Sequence, residues 1–251
     1  MIDFHTHILP HIDDGAKDIE IAKAMLEGER KQGVTDVLLT PHYYGKKHSP
    51  ARFLEKRDEA WINLQPNVPE GINVHLAAEV HFTGVNVPDY DELCKLSIAG
   101  TEYILIEFPF TSSWTNGLLD KLSDFIYETG YTPIIAHVER YREVHKRPAF
   151  ATELVNMGCL LQINTSAFDN KAEKKLALTL LKKGMVHCIG TDTHDMGVRK
   201  PNMAQAKLAM EKAGFAENWA EIQNTMQTVL RGEKVKTQHA PRIKKFFGKY
   251  I

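Results

Sequence analysis

The chain begins MIDFHTHILPHIDDGA, which places His5, His7, His11, Asp13 and Asp14 just ahead of Gly15. Imidazoles and carboxylates at this density can bind metal ions or move protons. A bare H-x-H does not decide between these and chance, because alternate residues of a strand share a face. Residues of the same kind recur along the chain: His42 in TPHYY, Glu79 and His81 in AAEVHF, and Glu107 in YILIEFPF. They recur again as His137, Glu139 and Arg140 in IIAHVERY, and as Asp192 and His194 in GTDTHD. The Glu107 carboxylate lies inside an apolar run, where an unpaired charge is costly and needs an arginine partner or a metal. Histidine mixed with carboxylate, without thiolate, suits manganese, iron or zinc in a catalytic role, and so many ligands imply more than one ion.

The elements that must position these residues follow a regular alternation. Short apolar runs occur at MIDF, 34–40, 74–79, 103–108, 132–137, 159–164 and 185–190, each reading as a strand buried on both faces of a parallel sheet. Amphipathic stretches separate them. The pattern predicts helices over 18–32, 116–129 and 171–183, with Asn116 as an N-cap and Gly33, Gly130 and Gly184 just past the ends. Strand–helix alternation over seven units predicts an α/β barrel in preference to an open doubly wound sheet. In a barrel the carboxyl ends of the strands open on one face. Nearly every run here ends in a histidine or carboxylate, so the dispersed residues are expected to converge there.

Composition narrows the function. The 251 residues carry 31 Lys and Arg against 32 Asp and Glu, a balance that argues against a nucleic-acid backbone as the main partner. Cys94, Cys159 and Cys188 are scattered, form no C-x-x-C pair and precede no arginine in a C-x5-R loop. A disulfide framework, structural zinc and a cysteine-dependent phosphatase are all disfavoured. No run approaches the ~20 apolar residues of a membrane span, and the N-terminus lacks a signal peptide, so the chain reads as cytoplasmic with no stable membrane insertion. No repeat or linker divides it, and residues 1–251 read as one domain. The basic segment at about 233–251, KVKTQHAPRIKKFFGKY with Phe246 and Phe247, reads as a solvated tail or peripheral helix rather than a contact for membrane or an acidic kinase tail.

DFHTHILPHIDDGA, TPHYY, AAEVHF, YILIEFPF, IIAHVERY and GTDTHDMGVRKPNMAQA together resemble the PHP (polymerase and histidinol phosphatase) superfamily. Within it they are most similar to the CpsB-type bacterial tyrosine phosphatases of capsular and exopolysaccharide synthesis. The resemblance covers nearly the whole chain and implies a distorted seven-stranded (β/α)7 TIM-like barrel. It also implies three divalent transition-metal ions, Mn2+ first, with Fe or Zn as alternatives. One ion would be held by His5, His7, Glu79 and Asp192, a second by Asp14, His42 and His194, and a third by bridging Glu79 with Glu107 and His137. Choosing Asp14 over Asp13 or His11 rests on the resemblance alone. Arg140 and Arg199 match arginines near the substrate phosphate, and Val138 stands where many relatives have proline.

The expected activity is therefore a metal-dependent phosphomonoesterase acting on the phosphotyrosine-bearing tail of a cognate bacterial tyrosine kinase. Metal binding lowers the pKa of water from 15.7 to about 7 and supplies the nucleophile, the arginines steady the phosphoryl oxygens, and His42 or His194 can assist the leaving group if not fully occupied as ligands. The runner-up is a small-molecule phosphatase resembling histidinol-phosphate phosphatase. An amidohydrolase is disfavoured by Glu107 standing where a modified lysine is needed, a nuclease by the charge balance, and a non-enzymatic scaffold by the complete ligand set. Tyr43, Tyr44, Lys46, Lys47 and Trp114, in the loops 41–50 and 108–117, are candidates to grip a peptide. His81 is expected beside the site or at the surface, and His11 in a solvent-facing loop.

Overall fold

The computed structural model describes residues 1–83, 90–110, 114, 116–246 and 248–251, leaving out the side chains of 90, 91, 116 and 249. The Asn116 cap, residues 111–113 and 115 of the loop 108–117, and Phe247 lie outside the described residues. The element order is β1 (Ile2–Thr6), α1 (Ile19–Lys31), β2 (Asp36–Leu39), β3 (His42–Tyr43), α2 (Pro50–Leu64), β4 (Asn73–Leu76), β5 (Glu79–His81), α3 (Tyr90–Leu96) and β6 (Tyr103–Glu107). It continues with α4 (Asn116–Thr129), β7 (Thr132–Ile135), α5 (Arg142–Lys146), α6 (Ala149–Asn156), β8 (Leu160–Asn164), α7 (Lys171–Lys182), β9 (Cys188–Gly190), α8 (Met203–Lys212), α9 (Ala216–Leu230) and a closing hairpin, β10 (Lys245–Phe246) and β11 (Lys249–Tyr250).

Two parallel sheets carry the architecture, one ordered β1-β2-β4 and a curled one ordered β3-β5-β6-β7-β8-β9. Every residue of β1, β6 and β8 is buried, as in a strand covered on both faces, and that includes the polar side chains Asp3, His5, Glu107, Gln162 and Asn164. Two of the seven expected strands are interrupted. The run 34–40 yields β2, with β3 following just beyond it, and the run 74–79 yields β4 and the start of β5, each pair divided between the two sheets. Pro41 lies at the first break and has no N–H for a ladder, although its carbonyl accepts from the Glu79 amide at 3.0 Å. At the far edge a single parallel bridge joins Thr6 to Thr193, beyond β9.

The helices form where their signals place them. Asp18 caps α1 by accepting from the Ile21 amide at 2.8 Å, and Arg30 and Lys31 occupy its last turn. Asn170 caps α7 in the same manner. The 233–251 segment departs from a solvated tail. Ala240 and Ile243 are buried, and the Thr152 hydroxyl donates to the Pro241 carbonyl at 3.0 Å. The hairpin then meets α5, where Lys245 Nζ donates to the His145 carbonyl at 2.7 Å and Tyr250 Oη lies 3.0 Å from His145 Nδ1. No helix among the described residues is long and apolar enough to cross a membrane.

Candidate metal centre

All the expected ligands except Asp14 and His194 stand on strands or within two residues of a strand end, and those two lie on adjoining loops. His5 is on β1, Glu79 opens β5, Glu107 closes β6, and Asp192 follows β9. Their ligand atoms meet in four overlapping groups, each spanning no more than 4.8 Å: His5, Glu79 and His137; His5, His7 and Asp192; His7, Asp14, His42 and His194; and His42, Glu79 and Glu107.

The innermost set forms a small polyhedron. His5 Nε2 is 3.1 Å from His7 Nε2, and both nitrogens lie 3.4 Å from Glu79 Oε2. Asp192 Oδ1 completes it, 3.6 Å from His5 and 3.4 Å from His7. Neighbouring donors on an ion at about 2.0–2.1 Å lie about 3.3–3.4 Å apart in a tetrahedral array, and these five separations are of that size. Around this set, Asp14 Oδ1 lies 3.5 Å from His42 Nε2 and 3.4 Å from His194 Nε2. His137 Nε2 is 2.9 Å from Glu79 Oε1 and 3.6 Å from Glu107 Oε1.

The outer hydrogen bonds leave the right lone pairs bare. His7 Nδ1 donates to Asp13 Oδ2 at 2.7 Å, His194 Nδ1 to the Asp192 carbonyl at 2.8 Å, and His5 Nδ1 to Gln162 Oε1 at 3.3 Å. These partners assign the proton to Nδ1 in each ring, so Nε2 faces the cluster as an acceptor. His42 Nδ1 approaches Glu79 Oε2 to 2.7 Å, yet neither atom has hydrogen-bond geometry, and His194 Nε2 is likewise buried without a partner. Buried acceptors without donors are costly in themselves and are resolved by cations. The donor set fits divalent metal.

Charge reinforces the arrangement. Burial opposes ionisation of Asp192 and Glu79, but the histidines around them, His5 foremost, hold both carboxyls well below the ordinary range. The His194 ring beside it, at 3.4 Å, and the neighbouring imidazoles of His42 and His7 lower Asp14 to about 2. Arg140 Nη1 and Arg199 Nη2 converge on Asp192 Oδ2 at 3.0 and 2.7 Å, and Asn164 Nδ2 adds a third donor at 2.8 Å. The two arginines are 34% and 36% exposed while Asp192 is 5% exposed, so they reach solvent at the lip of the centre and it does not.

Backbone detail fixes the spacing. A Cβ at Gly190 would lie 2.5 Å from His5 Cβ, and one at Gly15 would lie 2.0 Å from the His7 carbonyl oxygen. His137 and Asp192 adopt left-handed backbone, with φ of 34° and 54°. His81 reaches Glu107 Oε2 at 3.2 Å, so it stands beside the centre. Tyr44, Lys46 and Lys47 line a cavity of about 320 Å3 next to it. Tyr43 packs on Phe53 and also lines that cavity, while Trp114 is buried against Phe108 and Tyr141, away from solvent. His11 lies apart, in a cavity with Asp18 and Lys56. Gln162 is absent from the sequence reading: it looks like an ordinary strand residue, although its Oε1 also accepts from the His137 amide at 2.7 Å.

Residues 1–229 match the family model described as capsular polysaccharide synthesis, CpsB/CapC. The chain belongs to the CpsB/CapC family. It is 30% identical over 257 residues to the tyrosine-protein phosphatase YwqE of Bacillus subtilis, covering 99% of each chain. It is 31% identical over 219 residues to the tyrosine-protein phosphatase CpsB of Streptococcus agalactiae, covering 82% of this chain and 88% of that one. Among solved structures, one from the crystallographic description of YwqE and Streptococcus pneumoniae CpsB as metal-dependent tyrosine phosphatases superposes with a TM-score of 0.82 at 27% identity, covering 98% of this chain and all 100% of that one. A Lactococcus lactis histidinol phosphate phosphatase shares the fold at TM-score 0.51 and 13% identity, covering 89% of this chain and 93% of that one. The CpsB/CapC resemblance and the α/β class expected from sequence are both borne out.

Proposed function

We propose that this chain is a metal-dependent tyrosine-protein phosphatase, like its CpsB/CapC relatives, acting on the phosphotyrosine tail of a cognate bacterial tyrosine kinase that regulates capsule or exopolysaccharide synthesis. The observation that carries this is the pairing of the His5–His7–Glu79–Asp192 polyhedron with two arginines on the outer oxygen of Asp192. In this reading residues 1–251 work as one cytoplasmic unit, and the two sheets make a distorted barrel of seven positions, with 36–43 and 73–81 each a broken stave.

Three ions, Mn2+ in preference to Fe or Zn, would be held by His5, His7, Glu79 and Asp192, by Asp14, His42 and His194, and by Glu79, Glu107 and His137. When bound, such ions supply a nucleophile from water near neutral pH and offset phosphoryl charge. The chain does the rest. Asp13 and Gln162 hold the imidazoles in the tautomer that faces inward. Arg140 and Arg199 take the non-bridging oxygens through their planar forks, strengthening as charge shifts in the transition state. Tyrosine leaves as a phenolate of pKa about 10, so the demand for an acid is modest, and His42 or His194 would assist only where its ring is not taken up as a metal ligand.

Elemental analysis of purified protein should find more than one transition-metal ion per chain, and a chelator should abolish turnover of a phosphotyrosine peptide, with Mn2+ restoring it best. Faster turnover of histidinol phosphate than of the peptide would favour the small-molecule reading. Full activity without metal would end both.

A further inference from the structure

One large aromatic side chain at the mouth of the centre is left without a role by the chemistry above. Phe110 is 42% exposed, whereas Phe108, two residues earlier, is fully buried. Its ring stacks on His137 at 5.3 Å and 26°, and on the buried Tyr141 at 5.1 Å and 29°. Tyr141 is itself fixed, its hydroxyl accepting from the Phe108 amide at 2.9 Å. The Arg140 guanidinium carbon lies 5.0 Å from the centre of the Phe110 ring. One arginine therefore touches both Phe110 and the outer oxygen of Asp192.

A second ring stands across the centre. Tyr44 lies 5.3 Å from His42 and 5.2 Å from His81, with Lys47 Nζ 4.5 Å from its ring centre. Glu79 is held between the two flanks, Oε2 at 2.7 Å from His42 and Oε1 at 2.9 Å from His137. The metal-facing carboxylate is thus bordered by an aromatic wall on each side, and the Phe110 wall is the one joined to an arginine.

The geometry points to Phe110 as the residue that recognises the aryl group of the substrate. A phosphate held by Arg140 places the atoms beyond its ester oxygen alongside the Phe110 ring. A phenyl group there can stack in an offset or edge-on arrangement, which a short alkyl chain cannot. Packing on Tyr141 and His137 holds the ring in place before substrate arrives, so little ordering is needed on binding. Lone exposed aromatics are common and signify little; this one rests on a proposed metal ligand and on the phosphate-side arginine together. The inference rests on the phosphatase reading for the position of the phosphate.

Two non-hydrolysable phosphonates separate the ring from the anion. Calorimetric titration of metal-loaded protein with phenylphosphonate and methylphosphonate should give a tighter Kd for the aryl compound. Phe110→Ala should weaken phenylphosphonate by about 10-fold, the scale of one aromatic pair with its buried area, and leave methylphosphonate within about twofold. Phe110→Leu, which keeps apolar bulk, should lose most of the aryl preference, and Phe110→Tyr should retain it. Equal weakening of both ligands, no weakening of either, or loss of metal from the variants would overturn the assignment. Failure of the wild type to turn over any phosphomonoester would instead defeat the phosphatase reading, with the aryl preference still measured by binding.

Discussion

Arg199 grips the outer oxygen of Asp192 at 2.7 Å, while the other oxygen of the same carboxylate faces His5 and His7. No acidic residue lies between Asp195 and Arg199, and the pairing across the loop is invisible in that stretch of sequence. Asp192 thus couples the side chains that would hold metal to the side chains that would hold phosphate.

Removal of this guanidinium should be felt in the transition state. Arg199→Ala is expected to lower kcat/KM for a phosphotyrosine peptide by roughly 10²–10³, the scale of one lost transition-state donor. Arg199→Lys should recover only part, because an ammonium lacks the planar fork. Arg140 and Asn164 remain on Asp192 Oδ2, so metal content should be unchanged in both variants. Near-normal rates would remove Arg199 from the phosphate site.

Asp13 acts one step further out. Its carboxylate accepts from His7 at 2.7 Å, from the His42 amide at 2.9 Å and from the Gly15 amide at 2.9 Å, so it orients two candidate ligands at once. Asp13→Ala should weaken metal binding roughly 10–100-fold, measured by competition with a metal-sensitive dye. An unchanged affinity would show that Asp13 serves only to shape the loop.

A pH effect should arise far from the centre, at His187. Burial lowers its pKa from 6.5 to about 4, and its Nδ1 accepts from the Leu161 amide at 3.1 Å. Because the folded value lies below the unfolded one, the contribution is full above pH 6.5 and is lost as pH falls towards 4. The loss across that window is about 3 kcal/mol. His187→Asn keeps an acceptor for the amide and cannot titrate. Urea unfolding of both proteins at several pH values should show the wild type losing stability faster on acidification, and parallel curves would contradict this origin.

Much of the centre was legible because parallel strands export their ends to one face, so a histidine or carboxylate closing an apolar run already implies where it lies. The helices α1, α4 and α7 were legible for a similar local reason, namely apolar stripes ended by Gly33, Gly130 and Gly184, all at positive φ. What depended on partners distant in sequence was not legible. Pro41 breaks a ladder only in relation to β5, and Gln162 gains its role only where His5 and His137 meet it. Trp114 and Phe110 share one loop and both rest on Tyr141, yet Trp114 is buried and Phe110 is half exposed, a difference that no local pattern announces.

The left-handed backbone at His137 and Asp192 has an implication for protein engineers. Aspartate, like glycine and asparagine, tolerates this region, so Asp192 sits there at little cost, whereas the imidazole at 137 pays on the scale of about 1–3 kcal/mol. A library sorted only for heat resistance should therefore enrich glycine or asparagine at position 137, and each such winner would discard an imidazole from the cluster, whereas at 192 the contacts of the carboxylate with Arg140, Arg199 and Asn164 oppose the exchange. Thermostabilisation campaigns on this scaffold need an activity gate at that codon, since the most rewarded changes there are also the most disabling.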